Sequence, residues 1–474
     1  MKLEEKIKKD SLESSDIVYR DLKIINESVK IIFVETLVNS AFLSDFVINN
    51  IKKIVTTKNE MSVLNNLEKN LSTCKIKRVD IVNEDIFYYL YSSFTVILYK
   101  SNVYAAETRG IIDRPISKIS NENSLKGAKD SFNESYDNNV ALIRKRLKTD
   151  KLVLKQLKVG VRSQTKVGML YMADIANPKL INDVVKRLED IDIDAIINSN
   201  YIVESITNVN DTDFPTVIST ERPDYTSILL LEGRVALVVE NNPYVLIVPS
   251  FLMDFINNTS DYFQKSRNVF YTRVIRVLAF IITIVVPGLY VGMITFNHEA
   301  IPSELLLHFS AQREGVPFPA VIEALLMILA FEILREGDYR STSISGSTLS
   351  IVGALILGDA AVSAGIVSSI MIIVIAISAL AGLVFTDINI VNACRNWRIT
   401  FLLFGGIGGV AGIGVALMYL LTKICSIESF GYPYTYPLAP GNFTKINNDF
   451  VKRKKIKNIR NRYKILTKNL TSRR

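Results

Sequence analysis

Val277-Leu-Ala-Phe-Ile-Ile-Thr-Ile-Val-Val-Pro-Gly-Leu-Tyr-Val-Gly-Met-Ile-Thr-Phe296 carries no charged side chain. As a helix, a stretch of about 20 apolar residues spans the roughly 30 Å of a bilayer's hydrocarbon core. Arg267, Arg273 and Arg276 precede it; His298, Glu299 and Glu304 follow. That asymmetry predicts the preceding residues on the cytoplasmic side. Pro287-Gly288 sits mid-segment. In lipid such a break is tolerated where neighbours satisfy the freed carbonyls, and it is expected to mark a bend.

Further apolar segments follow. Phe318 to Leu334 is opened by Pro317-Phe-Pro319, closed by Arg335-Glu336-Gly337, and holds Glu323 and Glu332. An intramembrane carboxylate costs several kcal/mol unless it faces protein or water. Glu323 therefore reads either as functional or as the cap of a half-buried helix. Glu332 is expected to pair with Arg335 one turn on. Residues 346–385 are about twice as long as one span requires. They read as two passes, or as a re-entrant piece plus a full helix, broken at Gly358-Asp359. Ala360, Ala364 and Ser368 suggest a small-residue packing ladder. Asp359 and Ser363 share a face, with Val362 and Ile366 beside them. This suits either ordinary helix packing or the wall of a narrow pore gated by dewetting. The last segment, Phe401 to Leu421, contains the overlapping pairs Gly405/Gly409 and Gly408/Gly412, a helix-packing signal. Basic flanks on both sides predict both termini in the cytoplasm and an even number of crossings: four, if the region before Asp359 is re-entrant.

The rest of the 474 residues has a different composition. The whole chain is 22% charged with net charge +9. Lys452 to Arg474 holds eleven Lys/Arg and no acid, so the body carries 9 − 11 = −2. A basic tail beside a membrane segment suits anionic lipid rather than nucleic acid. The expected layout is a polar lead over 1–28, soluble α/β subdomains over 29–125 and 126–265, an all-α membrane domain over 270–425 and a cytoplasmic basic tail over 426–474. In the first subdomain, Ile32, Val34, Leu37, Phe42, Phe46 and Ile51 suit a helix face and Thr95 to Tyr99 a strand. In the second, helices are predicted over Asn138–Lys155 and Pro178–Leu188. Strands are predicted over Val167–Met172, Val235–Val239 and Tyr244–Val248. Tyr89 to Arg109 aligns without gaps onto Leu229 to Pro249, which suggests two related subdomains; unlike strand orders would exclude that. Cys74, Cys394 and Cys425 form no metal spacing. Only His298 and His308 are histidines, and no P-loop, HExxH or nucleophile elbow occurs. An enzyme, a cofactor site and a metal site are not expected.

A longer series of motifs runs from about Arg109 to Asp449. It comprises Asn139-Val-Ala-Leu-Ile-Arg-Lys-Arg146, Gly160-Val-Arg-Ser-Gln-Thr-Lys-Val167, Thr220-Glu-Arg-Pro-Asp224, Leu231-Glu-Gly-Arg234 and Val286-Pro-Gly-Leu-Tyr290. It continues with Arg313-Glu-Gly-Val-Pro-Phe-Pro319, Phe331-Glu-Ile-Leu-Arg-Glu336, Ile351-Val-Gly-Ala354 and Ser429-Phe-Gly-Tyr-Pro-Tyr434. In this order they resemble the A subunit of the GerA-type spore germinant receptors. The resemblance implies a protein of the spore inner membrane that assembles with a permease-like B subunit and a C-subunit lipoprotein. It implies a homo-oligomer of A subunits whose helices form a cation pathway that triggers germination. Within the family motif Thr220, Glu221, Arg222, Pro223 and Asp224, a purely local reading has Pro223 starting a helix with Thr220 or Asp224 as caps. The sequence departs from the family pattern at Lys126-Gly-Ala128, at Ser341 to Ser345, and at Asp359 and Ser363, where the family has a glutamine and an acid. These departures leave open a sporulation-specific paralogue of the stage V sporulation AF type. A non-conducting scaffold for the B and C subunits is a separate alternative.

Overall fold

The computed structural model describes residues 7–8, 11–12, 14–24, 27–55, 75–80, 86–100, 102–109, 127–207, 212–340, 358–439 and 466–467. The chain divides into two compact units. One holds two β-sheets; the other holds the helices from Ser250 onward.

The first sheet is built from β1 (Ile17–Ile24), β2 (Glu27–Val34), β3 (Ile76–Arg78), β4 (Phe94–Tyr99) and β5 (Asn102–Glu107). Helices α1 (Asn49–Val55) and α2 (Ile86–Leu90) are interleaved among them. The strand order is β1-β2-β4-β5-β3, with every neighbouring pair antiparallel. Alternate residues point to opposite faces of a strand. Val29, Ile31, Ile97 and Tyr99 pack on one side with Val47, Ile48 and Ile51. Ile32, Val34, Val96 and Leu98 pack on the other with Ile86 and Leu90. Both faces are thus covered, which is why these strands read as nearly continuous apolar runs.

Helix α3 (Tyr136–Arg146) leads to the second sheet. That sheet contains β6 (Leu152–Val159), β7 (Thr165–Met172), β8 (Ile218–Thr220), β9 (Val235–Val239) and β10 (Val245–Val248). Its helices are α4 (Pro178–Glu189), α5 (Ser199–Ile206) and α6 (Pro223–Leu231). Its order is β6-β7-β9-β10-β8, again antiparallel throughout. Adding five to each strand number of the first sheet gives the second. The helix–strand–turn–strand unit aligned at 89–109 and 229–249 is α2-β4-β5 in one sheet and α6-β9-β10 in the other.

The sheet unit departs from the expected layout at three places. The lead over 1–28 contains β1, an edge strand whose Arg20, Asp21 and Lys23 are exposed while Ile17 and Leu22 are buried. Ile32 and Val34 belong to β2, not to a helix face. The helix predicted over Asn138–Lys155 stops at Arg146, and Leu152 onward is strand.

Arg144, fully buried, ties β1 to β6 within this unit. Its Nε and Nη2 donate to the Asp16 carboxylate at 2.9 and 2.8 Å, Nη1 to the Leu152 carbonyl at 2.6 Å and Nη2 to Ser14 Oγ at 2.9 Å. The guanidinium also lies 4.8 Å from the Tyr91 ring centroid. Burial pushes the Tyr91 phenol up to about 12, the cation beside it pulling the other way.

The helical unit contains α7 (Leu252–Ile256), α8 (Ser266–Phe296), α9 (Ser303–Arg313), α10 (Ala320–Arg340), α11 (358–363), α12 (Ser369–Gly382) and α13 (Ile388–Ser426). Helix α7 belongs here, not with the second sheet. The Leu252 N–H donates to the Tyr434 carbonyl at 3.0 Å, and Phe251 and Phe255 pack on Tyr436 and Tyr434. The same contacts place Tyr434 and Tyr436, within the tail expected over 426–474, in the folded unit, where Glu428-Ser429 also pairs with Tyr432-Pro433. Among the described residues two helices are long and apolar enough to cross a membrane: α8, from Arg267, and α13. Helix α12 is apolar but only 14 residues long. Part of the predicted 346–385 segment, residues 346–357, lies outside the described residues. Of the three arginines that precede the apolar run within α8, Arg273 and Arg276 converge on buried Asp261 at 3.0 and 2.8 Å.

Candidate functional site

The centre of the helical unit is a crossing of α8 on α13 through glycine. A Cβ on Gly288 would lie 2.4 Å from the Phe401 carbonyl oxygen, and one on Gly405 would lie 2.4 Å from that of Gly288. One turn on, a Cβ on Gly292 would meet the Gly409 backbone at 3.1 Å. Gly288/Gly292 is itself a GxxxG pair, and it faces Gly405/Gly409. Small residues at this spacing let two backbones approach closely. Gly408, expected to pair with Gly412, has open space beside it.

Pro287 lies inside a continuous helix. Lacking an N–H, it leaves the Thr283 carbonyl without its intrahelical donor. Buried Ser378 on α12 supplies one: its Oγ donates to Thr283 O at 2.9 Å. Ser378→Val is expected to orphan that carbonyl and destabilise the helical unit by about 1–3 kcal/mol. Thermal unfolding of the detergent-solubilised full chain, with Ser378→Thr as the conservative control, measures this. An unchanged midpoint for the valine variant would show that the carbonyl finds another donor.

Helix α13 is broken at Gly409, whose φ of 59° and ψ of −143° lie outside the helical region. The positive φ favours glycine. Beyond the break, the Val410 N–H donates to Asn297 Oδ1 at 3.0 Å, so a side chain from the end of α8 caps the second half of α13. Neither Asn297 nor Ser378 stands out in the sequence. The Gly288/Gly292 spacing does, but the adjacent Pro287 suggests a bend instead.

Glu323 is completely buried. Its Oε1 accepts from the Ser368 N–H at 2.6 Å and from Ser368 Oγ at 2.5 Å. Arg313 Nε lies 3.9 Å from Oε2. Ser368 is the N-cap of α12, so the carboxylate sits where the first N–H groups of that helix point and a negative charge is favoured. Glu323 thus caps a helix, but a partner helix rather than its own. Glu323 Oε2, Arg313 Nε and Tyr290 Oη are buried with no hydrogen-bond partner among the described residues.

Among the described residues helix α11 occupies 358–363 and is followed by a break at 364–368, with Gly365 at φ +66°; the residues before the expected break at Gly358-Asp359 lie outside the described residues. Ala360, Ala364 and Ser368 therefore do not form one helical ladder. Asp359 and Ser363 are one turn apart on α11, and Ile366 lies past its end. All of Asp359, Val362, Ser363 and Ile366 are exposed, standing clear of the unit's own core.

Glu332 pairs with Arg335, as expected, and also accepts from Arg398 Nη2 of α13 at 2.7 Å, with Arg395 at 3.8 Å. In the sheet unit, Pro223 opens α6, and buried Arg222 grips Asp224 with Nε and Nη2 at 3.1 and 2.7 Å. Thr220 Oγ1 accepts from the Arg222 N–H at 3.1 Å, and the Glu221 carbonyl accepts from the Phe132 N–H at 2.8 Å. The motif is a buried strand-to-helix corner. Among the described residues no cluster of His, Cys, Asp and Glu could hold a metal ion.

The model of the family described as Bacillus/Clostridium GerA spore germination protein matches residues 2–465. The chain belongs to the GerA family. This GerA-family chain is 36% identical over 438 residues to spore germination protein KA of Bacillus subtilis strain 168, covering 91% of this chain and 80% of that protein. It is 34% identical over 351 residues to the uncharacterized membrane protein YfkQ of the same strain, covering 74% and 67%. Among solved structures it is similar to the N-terminal domain of the A subunit of the Bacillus megaterium spore germinant receptor GerK3. There the identity is 29%, the TM-score is 0.39, and 52% of this chain and 93% of that one are covered.

Proposed function

We propose that this GerA-family chain is the A subunit of a spore germinant receptor and forms a ligand-gated ion pathway in the spore inner membrane. Its helical unit crosses the bilayer, and both termini lie on the cytoplasmic side. Copies of the chain oligomerise and assemble with a permease-like B subunit and a C-subunit lipoprotein, and the basic tail lies against anionic lipid. Its role involves neither nucleic acid nor catalysis.

One observation carries the pathway reading. The segment bearing Asp359, Val362, Ser363 and Ile366 presents all four side chains outward, while its far end is fastened to α10 by the Glu323–Ser368 hydrogen bonds. Outward carboxylate and hydroxyl groups beside valine and isoleucine suit a wall that admits ions when wet and closes when the apolar ring dries. The fastening gives that wall a fixed base, and α8 and α13 supply helices of crossing length.

Cation release from spores carrying Val362→Ala, against wild type, tests the reading. A smaller side chain at the ring is expected to release cations prematurely. Unchanged flux with normal assembly and germination would remove Val362 from the gate and favour a scaffold.

A further inference from the structure

The C-terminal half of α10 and the start of α13 line an open pocket of about 450 Å³, formed by Glu332, Ile333, Arg335, Glu336, Ile388, Asn392 and Arg395. Three guanidinium groups, from Arg335, Arg395 and Arg398, converge on the single carboxylate of Glu332. Counting Glu336 as well, the cluster keeps one positive charge in excess. Arg398 and Arg335 hold Glu332 closely. Arg395 does not: among the described residues its only ion pair is the 3.8 Å contact with Glu332, and its side chain is 38% exposed. A planar guanidinium with donors to spare matches phosphate geometry.

The apolar part of the lining points to the kind of phosphate. Ile333 and Ile388 are 64% and 51% exposed. Both helices change character here. The apolar run of α10 ends at Arg335, and that of α13 begins just after Arg398. A free anion has no use for exposed isoleucine at a polar–apolar boundary, whereas a phospholipid has both a phosphate and chains to place there.

We infer that this pocket binds the phosphate of an acidic phospholipid, with Arg395 as its principal donor, Asn392 beside it, and Ile333 and Ile388 against the lipid's apolar part. None of its lining residues belongs to the basic tail, and the inference rests on the membrane placement proposed above.

The test uses the full chain. Flotation with phosphatidylcholine liposomes comes first; failure to incorporate would overturn the membrane reading, and the site with it. The incorporated or detergent-held chain is then titrated with phosphatidylglycerol, phosphatidylcholine and inorganic phosphate, with retained molecules counted by native mass spectrometry. Phosphatidylglycerol is expected to bind more tightly than phosphatidylcholine. Arg395→Gln is expected to weaken it about fivefold, from the typical worth of one basic residue against an anionic membrane, and Arg395→Lys much less. Asn392→Leu, which keeps every charge but replaces the amide with a larger apolar side chain, is expected to weaken it as well. Equal retention of the two lipids, or phosphatidylglycerol affinity unmoved in both Arg395→Gln and Asn392→Leu, would overturn the site. Displacement of phosphatidylglycerol by an equal concentration of inorganic phosphate would overturn its assignment to lipid.

Discussion

Gly288→Ala is expected to separate α8 from α13 and lower the stability of the helical unit by about 3 kcal/mol or more. Overpacking commonly costs about 1–3 kcal/mol when side chains can shift to relieve it. Here the added methyl would lie 2.4 Å from the Phe401 carbonyl oxygen and 2.7 Å from its carbon, and backbone atoms cannot rotate away. Gly405→Ala meets the same obstacle from the other side. Gly408 and Gly414, in the same helix with nothing within 4 Å, supply the controls. Alanine at either is expected to be neutral or to stabilise by up to about 1 kcal/mol through helix propensity. Thermal unfolding in detergent, with accumulation in the membrane fraction, separates the two classes. Equal midpoints for Gly288→Ala and Gly408→Ala would mean that the crossing is not tight.

Arg144→Ala is expected to cost about 3–5 kcal/mol, because it strands the buried Asp16 carboxylate without its cation. The Leu152 carbonyl and the Tyr91 ring lose their partner in the same step. Replacing both charges, as Arg144→Met with Asp16→Leu, is expected to cost much less than the two single changes summed, since no uncompensated charge then remains. Denaturant unfolding of the four chains gives the coupling directly. A double variant as unstable as the sum would show that packing and the hydrogen bonds to Ser14 and Leu152, rather than the ion pair, carry the effect.

These two sites differ in how far the sequence discloses them. The glycines of α13 announce themselves by their spacing, and half of the crossing is legible from that spacing alone. Arg144 stands in a recognisable motif, but its partner Asp16 lies 128 positions earlier, in a stretch that reads as polar lead. The residues of β1 mislead because an edge strand carries charge on its open side. Leu152 to Lys155 misleads because it continues the helical period of the residues before it. Ser378 and Asn297 leave no signal at all. Each is a lone polar residue whose meaning depends on a backbone group 95 or 113 positions away. The shared strand order is the opposite case, because the hairpins at 94–107 and 235–248 are local and their likeness survives in the linear sequence.

That shared order also bears on how the chain is made. In each sheet the third strand to leave the ribosome is the last to find a place. Among the described residues β3 pairs only with β5, and β8 only with β10. Each waits, short and unpaired, while a helix and two further strands are synthesised. Each sheet therefore closes only when its final hairpin is complete, and a chain stopped before β5 or β10 lacks the strand on which the waiting one must dock. Translation passes through this dependence twice before the first residue of α8 is made.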